Sequence, residues 1–394
     1  MPGHAVDALI IGAGIAGCSL ALELAGAGMS VVVLERRHVG GGSSSLNAGG
    51  VRQQFSQEIN VRVASRTLER IAGFRDEHGE DIAFRRCGYL LLHSSKEEEE
   101  LLRAAVEVQN RWDVPSRPVT EHDVLELVPG ARVDELRGGF FCPTDGYLDP
   151  RATVTAFGRA AKRAGAQFIS AEVTGFETSE SHARAVAAGD REFSAGVIVN
   201  AAGAWAPAIS RLYGGELPIQ PMRSEILVLD QALVEGRLTP MVLDYPLGLA
   251  FHTEGRGLLV SAGVTSALDE APPTVSPRPD LFLHVSERLK ERLPETAHFG
   301  AAHSWAGLIE VTPDNNPILG WTHLDNVFTM AGFSGHGMCL APGLAREAAR
   351  LLRGEEPTLP IEAYGYARFE SPQPLQVERL WSGARAHSRR LGTT

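Results

Sequence analysis

The sequence predicts an α/β protein, α+β overall: a parallel sheet crossed by helices, joined to a second domain with an antiparallel β-sheet and helices. Three observations predict it. The first forty residues read as strand, glycine turn, helix and strand. Two later segments, near residues 201 and 332, repeat the strand–glycine–helix step. Between them lie short alternating apolar runs of the kind that pair as antiparallel strands. A chain of 394 residues is also too long for one ordinary core.

The first element is "DALIIGAGIAGCSLALELAGAGMSVVVLERR". Ala8–Ile11 reads as a strand, and Gly12, Gly14 and Gly17 form GxGxxG. A helical pattern runs from Ile15 to Leu24 and ends at Gly26 and Gly28. Val31–Leu34 is a second buried strand, closed by Glu35. Gly12 permits a tight turn, Gly14 lets backbone approach a pyrophosphate, and Gly17 lets helix pack on strand. Ile15 and Ala16 sit at the helix start, where free N–H groups and the positive dipole end face the anion. Glu35 suits ribose hydroxyls, and Arg36 and Arg37 are placed with it at the cofactor. The unit is Rossmann-like, and only one such fingerprint occurs, which argues against a chain using NAD and FAD together.

The next stretch, "GGGSSSLNAGGVRQQF", covers residues 40–55. Gly42, Ser43, Ser44, Ser45, Asn47 and Ala48 supply small side chains and backbone where the rest of an extended dinucleotide would lie. Gly49 and Gly50 clear space for a flat ring. A flexible linker is the alternative reading; against it, Val51, Phe55 and Ile59 resume an apolar pattern.

Further on, a helix is expected from Pro150 to Ala164, then two short strands that bring Val173 to the cofactor. Val197–Asn200 reads as a buried strand, Ala201, Ala202 and Gly203 as a turn, and Trp205 and Pro207 as the opening of a helix. Val327–Ala331 is a strand and Ala341–Leu352 a helix. The turn between them contains Gly332, Ser334, Gly335, His336, Gly337 and Met338. Met338 reads equally as core packing. Residues 86–142 and 216–310 look like one antiparallel sheet built from two insertions. The expected division is therefore 1–85, 143–215 and 311–394 for the cofactor domain, and 86–142 with 216–310 for the substrate domain. Residues 371–394 read as a surface helix or a frayed tail.

Composition excludes more than it selects. Net charge is −11, which argues against a nucleic-acid partner. Cys18, Cys87, Cys142 and Cys339 are scattered without a CxxC pair, so no metal site is expected and free thiols in a reducing, cytoplasmic compartment are. The apolar run 8–34 has no basic region before it and clustered glycines within it, so no membrane span is expected.

Taken together, "IIGAGIAGCSLALELA", "GGSSSLNAGGVRQQF", "NAAGAWAP", "GLIEVTPDNNPILG" and "AGFSGHGMCLAPG" resemble the amine-oxidising flavoenzymes of the D-amino-acid oxidase superfamily, in the sarcosine oxidase β-subunit, dimethylglycine and glycine oxidase branch. The resemblance implies FAD, and hydride transfer from a carbon beside the amine of a small amino acid to flavin N5, with hydrolysis of the imine. It implies that Arg52 pairs with the substrate carboxylate; a structural ion pair is the other reading. His336 would sit beside the flavin, as support or merely as a helix cap. Tyr245, His252 and His303 fall on strands that should face the substrate, and structural roles stay open for each.

The chain departs from the family pattern at four places. Asn47 stands where some relatives attach flavin through histidine, and Gly307, placed by alignment in the substrate pocket, stands where others use cysteine, so noncovalent FAD is expected. Leu259 and Cys339 occupy positions where monomeric sarcosine oxidases carry lysines. Electrons would therefore pass to oxygen or to a quinone or protein carrier. A noncatalytic flavoprotein of the same fold and an NAD-dependent dehydrogenase are the competing readings. Partner subunits and a homo-oligomer both stay possible.

Overall fold

The computed structural model describes residues 6–179, 181–187 and 191–380. The strand Val6–Ile11 lies within a six-stranded sheet whose order is Ile318–Trp321, Val327–Ala331, Ala195–Asn200, Val6–Ile11, Val31–Glu35 and Gln167–Ser170. All neighbours pair in parallel except the antiparallel edge strand Ile318–Trp321. These strands are apolar on both faces because both faces are covered. Ile10 and Val33 point toward the helices Ile15–Gly26, Pro150–Arg163 and Gly337–Leu352. Leu9, Val32 and Ile198 point the other way, toward a three-stranded antiparallel sheet that contributes Val173, Ala183 and Ala185.

The second sheet has eight strands, drawn from residues 89–142 and 220–311. Its pairs are antiparallel except Met241–Asp244 with Tyr89–Leu92. Strict alternation sorts its side chains. Leu90, Val242 and Leu227 pack beneath the helices Glu121–Leu127 and Leu281–Arg292. Tyr89, Met241, Leu243 and Ile226 face the opposite side and line a cleft toward the first sheet. Two ion pairs are sealed in this unit: Arg292–Asp244 at 2.7 Å and Arg278–Glu225 at 2.9 Å.

Two boundaries differ from expectation. The last long helix starts at Gly337, one turn before Ala341, and carries Pro342 inside it, at the cost of one i→i−4 hydrogen bond. Residues 376–380, expected in a surface helix or frayed tail, instead insert Glu378 and Leu380 at 0% exposure. Residues 381–394 of that expected tail lie outside the described residues. No helix among the described residues is long and apolar enough to cross a membrane, and no group of His, Cys, Asp and Glu among them could hold a metal ion.

Candidate functional site

The cleft between the two sheets begins at the first glycine turn. Gly12 has φ +106°, and a Cβ there would lie 2.6 Å from Ala201 O, so two strand ends meet backbone to backbone. At Gly17 a Cβ would lie 2.0 Å from Gly12 O, which is why the helix can sit on the turn. Glu35 ties this turn to the next strand: Ala13 N and Arg37 N donate to its carboxylate, both at 2.9 Å. Ile15 N donates to Ser44 Oγ at 3.0 Å, which brings the serine turn Ser43–Ser45 over the helix N-terminus. Asn47 braces that turn, donating to Ser44 O and accepting from Gly49 N, each at 2.8 Å.

The cleft holds about 1760 Å³ of space between protein atoms, part of it open to solvent. Gly12, Gly14, Ile15, Ala16, Glu35, Arg36, Arg37, Gly42, Ser43, Ser44 and Asn47 line one stretch of it. Val173, Ala201, Ala202, Gly203 and Trp205 join them, and Ala48, Gly49, Gly50, Gly335, Gly337, Met338 and Gly307 line the remainder. Arg36 lies over the Trp205 ring at 4.4 Å, and Arg37 at 5.7 Å. Trp205 Nε1, Ser43 Oγ and Arg36 Nη2 are buried with no partner among the described residues, and all three residues line the cleft. Buried polar groups require partners. A polar, extended ligand with phosphate and hydroxyl groups would satisfy these, and FAD fits that requirement.

Other expected residues stand behind the lining. Gly17 and Ser45 support the two turns from outside. Gly332 (φ +74°) faces the Thr312 side chain, and Ser334 Oγ accepts from Thr312 N at 3.1 Å. Gly49 (φ +73°) does line the cleft, yet a Cβ there would strike Leu148 O at 2.1 Å. Its bareness therefore also serves a close backbone crossing. His252 presents Nε2 to Ala48 O at 2.9 Å and Nδ1 to Thr253 O at 2.8 Å, with its ring stacked on Tyr147. It braces the wall, and burial lowers its pKa. Tyr245 is buried and its hydroxyl donates to Leu380 O. His303 lies on an exposed stretch of edge strand, stacked on Trp305.

Arg52 is 3% exposed; it is not part of the cleft lining itself but lies 5.9 Å from the ring of Tyr89, which is. Its guanidinium donates to Gln54 O, lies 3.3 Å from His336 Nε2, and stacks over Phe55 at 4.4 Å. A guanidinium only donates, so in this contact the His336 ring nitrogen is the acceptor. His336 is also the N-cap residue of the helix Gly337–Leu352, with no side-chain capping bond. No carboxylate among the described residues pairs with Arg52. Burial opposes its charge, but Tyr89, Tyr245, Cys339 and Glu378 around it outweigh that and hold its pKa above the ordinary value.

Sequence reasoning missed Tyr89, Met241 and Glu310, which line the cleft. Burial pushes the Tyr89 phenol up to about 12 and the Glu310 carboxyl up to about 7. The available signal was alternation: Tyr89 and Met241 neighbour residues that pack in the helix-covered core. Asp145 was also missed. It is fully buried, accepts from Gln53 N at 2.9 Å, and burial raises its pKa to about 7. A folded-state pKa raised above the unfolded value means stability present below about pH 4 and lost as pH rises through about 7. Urea denaturation from pH 4 to 8 should show wild type losing on the order of 3–4 kcal/mol relative to Asp145→Asn, which keeps the acceptor oxygen. Parallel pH profiles for the two proteins would refute this.

Comparison with known proteins agrees with the site. The crystal structure of L-proline dehydrogenase from P. horikoshii superposes with TM-score 0.87 and 31% identity, over 94% of this chain and 99% of that one. The FAD-dependent oxidoreductase domain-containing protein 1 of Xenopus laevis is 27% identical over 95% of this chain and 85% of its own length. Human mitochondrial sarcosine dehydrogenase is 28% identical over 97% of this chain, which spans only 43% of that protein. Residues 7–351 match the family described as DAO, FAD dependent oxidoreductase. With that match running through the glycine turn, the serine turn and the SGHG turn alike, the chain belongs to the FAD-dependent oxidoreductase family.

Proposed function

We propose that the protein oxidises the C–N bond of a small amino acid or N-methyl amino acid, of the sarcosine, glycine or proline kind, using noncovalently held FAD. The observation that carries this reading is Arg52, a buried cation beside the cleft residue Tyr89, with no carboxylate partner among the described residues. An unpaired buried charge is costly, and a substrate carboxylate would relieve it. The similarity to L-proline dehydrogenase and sarcosine dehydrogenase supports the same substrate class. The segments proposed for the cofactor domain are 1–85, 143–215 and 311–394, with 86–142 and 216–310 for the substrate domain.

Bound FAD supplies the hydride-accepting chemistry. The residues do the rest. Arg52 takes both carboxylate oxygens in its fork, and His336 Nε2, 3.3 Å from its Nη2, holds the guanidinium in place. Met241 and Leu243 line that part of the cleft with apolar surface, which favours the neutral, reactive form of the amine. Leu259 is buried in an apolar cluster, and Cys339 Sγ contacts Gly50 O. Leu259 cannot supply the cation that the resemblance places there for reaction with oxygen, nor Cys339 the one it places there to help hold the carboxylate; the first favours a quinone or protein acceptor.

Anaerobic mixing with a panel of N-methyl, cyclic and D-amino acids should bleach the flavin with at least one of them; no bleaching by any would favour a noncatalytic flavoprotein. Turnover should be faster with an artificial acceptor than with oxygen. Acid precipitation should leave the yellow colour in the supernatant, since Asn47 and Gly307 offer no nucleophile for attachment; a coloured pellet would overturn noncovalent binding.

A further inference from the structure

The chain beyond Phe369 returns to the site. Most of residues 371–377 are exposed, but Glu378 and Leu380 are fully buried. The Glu378 carboxylate accepts from Ser56 N at 3.0 Å, Ser56 Oγ at 2.8 Å, Gln57 N at 3.3 Å and Asn60 Nδ2 at 2.9 Å. In return Arg379 N donates to Ser56 Oγ at 3.0 Å. Glu378 N donates to Asp314 O at 2.9 Å. The helix Glu58–His78 has Gln57 at its N-cap and no side-chain cap of its own. Glu378 supplies the missing acceptor from the other end of the chain, and its charge suits the positive end of that helix.

The loop so held is the one that carries Arg52. It leaves the cleft lining at Gly50 and enters the helix at Glu58. Leu380 packs in one cluster with Tyr89, Met241 and Tyr245, and its carbonyl accepts from the Tyr245 hydroxyl. Tyr89 and Met241 line the cleft. The same short segment therefore grips the Arg52 loop with one side chain and backs the rings around Arg52 with the next buried one.

We infer that Glu378 is a positioning residue for Arg52, and that residues 376–380 form a strap closing the end of the substrate compartment. Leu380 is then the wall that limits substrate bulk beside the carboxylate. This rests on Arg52 being the carboxylate anchor, and the test separates the two. Benzoate, a redox-inert carboxylate, is titrated into FAD-loaded wild type, Glu378→Gln, Glu378→Ala and Arg52→Met, with flavin absorbance as the signal and benzamide as the neutral control. Hydrogen exchange of residues 52–60 is followed in the same proteins.

Glu378→Ala should weaken benzoate about 10-fold through misplacement of the guanidinium, with benzamide little changed. Glu378→Gln, which keeps an acceptor oxygen, should fall between Ala and wild type and covers the case in which Ala does not fold. Exchange at residues 53–57 should quicken in both. Wild-type benzoate affinity and exchange in both Glu378 variants, with Arg52→Met weakened, would overturn the inference. Unchanged benzoate affinity in Arg52→Met would instead remove the anchor reading, and with it the role of Glu378 as a positioning residue. The strap would then stand or fall on exchange alone. Leu380→Ala should raise affinity for 2-naphthoate relative to benzoate; an unchanged ratio removes the wall.

Discussion

Arg52→Met should weaken carboxylate ligands, and raise KM for the amino-acid substrate, by at least about 100-fold. The guanidinium is the cation that the structure places beside Tyr89, and methionine keeps its bulk without charge or donors. The loss belongs to binding rather than to the cofactor, because Arg52 does not line the cofactor cleft. Flavin content should therefore stay at the wild-type level. Arg52→Lys should recover part of the loss, since it restores charge without the planar fork. Steady-state kinetics with a carboxylated amine and with the matching amine lacking the carboxylate would check this. Equal effects on both substrates, or none on either, would reject the assignment.

Gly17→Ala should yield protein with little or no bound flavin. The added methyl would stand 2.0 Å from Gly12 O, which is backbone and cannot rotate away. The helix Ile15–Gly26 must then lift from the turn, displacing Gly14, Ile15 and Ala16, which line the cleft, and the Ile15 N to Ser44 Oγ bond that holds the serine turn. Overpacking of this kind costs on the order of 1–3 kcal/mol before any ligand is considered. The control is Gly26→Ala in the same helix, where nothing lies within 4 Å of the new Cβ. That variant should keep its flavin and its stability. Flavin absorbance per mole of purified protein reads both, and a fully yellow Gly17→Ala protein would contradict the packing argument.

The cofactor half of the molecule was legible because its constraints are local. Gly12, Gly14, Gly17 and Glu35 lie within one strand–helix–strand unit, so their spacing alone placed them together. The serine turn was legible for a similar reason: Val51, Phe55 and Ile59 resume an apolar pattern just after the small residues, which favours a fixed loop over a flexible linker. Even there, Gly49 held a surprise, since the contact that most demands its missing side chain is with Leu148 O. That residue is a hundred positions away, and nothing in the local pattern announces it.

The substrate end was much less legible. His252 and Tyr245 were expected on strands facing the substrate; His252 is on the strand Leu249–Glu254, but Tyr245 lies one residue past the strand Met241–Asp244, and hydrogen bonds to Ala48 O and Leu380 O occupy them. Tyr89, Asp145 and Glu378 carry no motif at all, and Glu310, though inside the "GLIEVTPDNNPILG" stretch, has no local pattern that marks it as a lining residue. By itself the sequence determined the parallel sheet and the glycine turns that open onto the cleft, because short-range periodicity and glycine spacing encode backbone path; Arg52 was singled out only through the family resemblance. Only the tertiary structure decided what surrounds Arg52. That environment is assembled from residues 89, 245, 336, 339 and 378, whose proximity depends on sheet register and on a returning terminus, and no local pattern records such contacts.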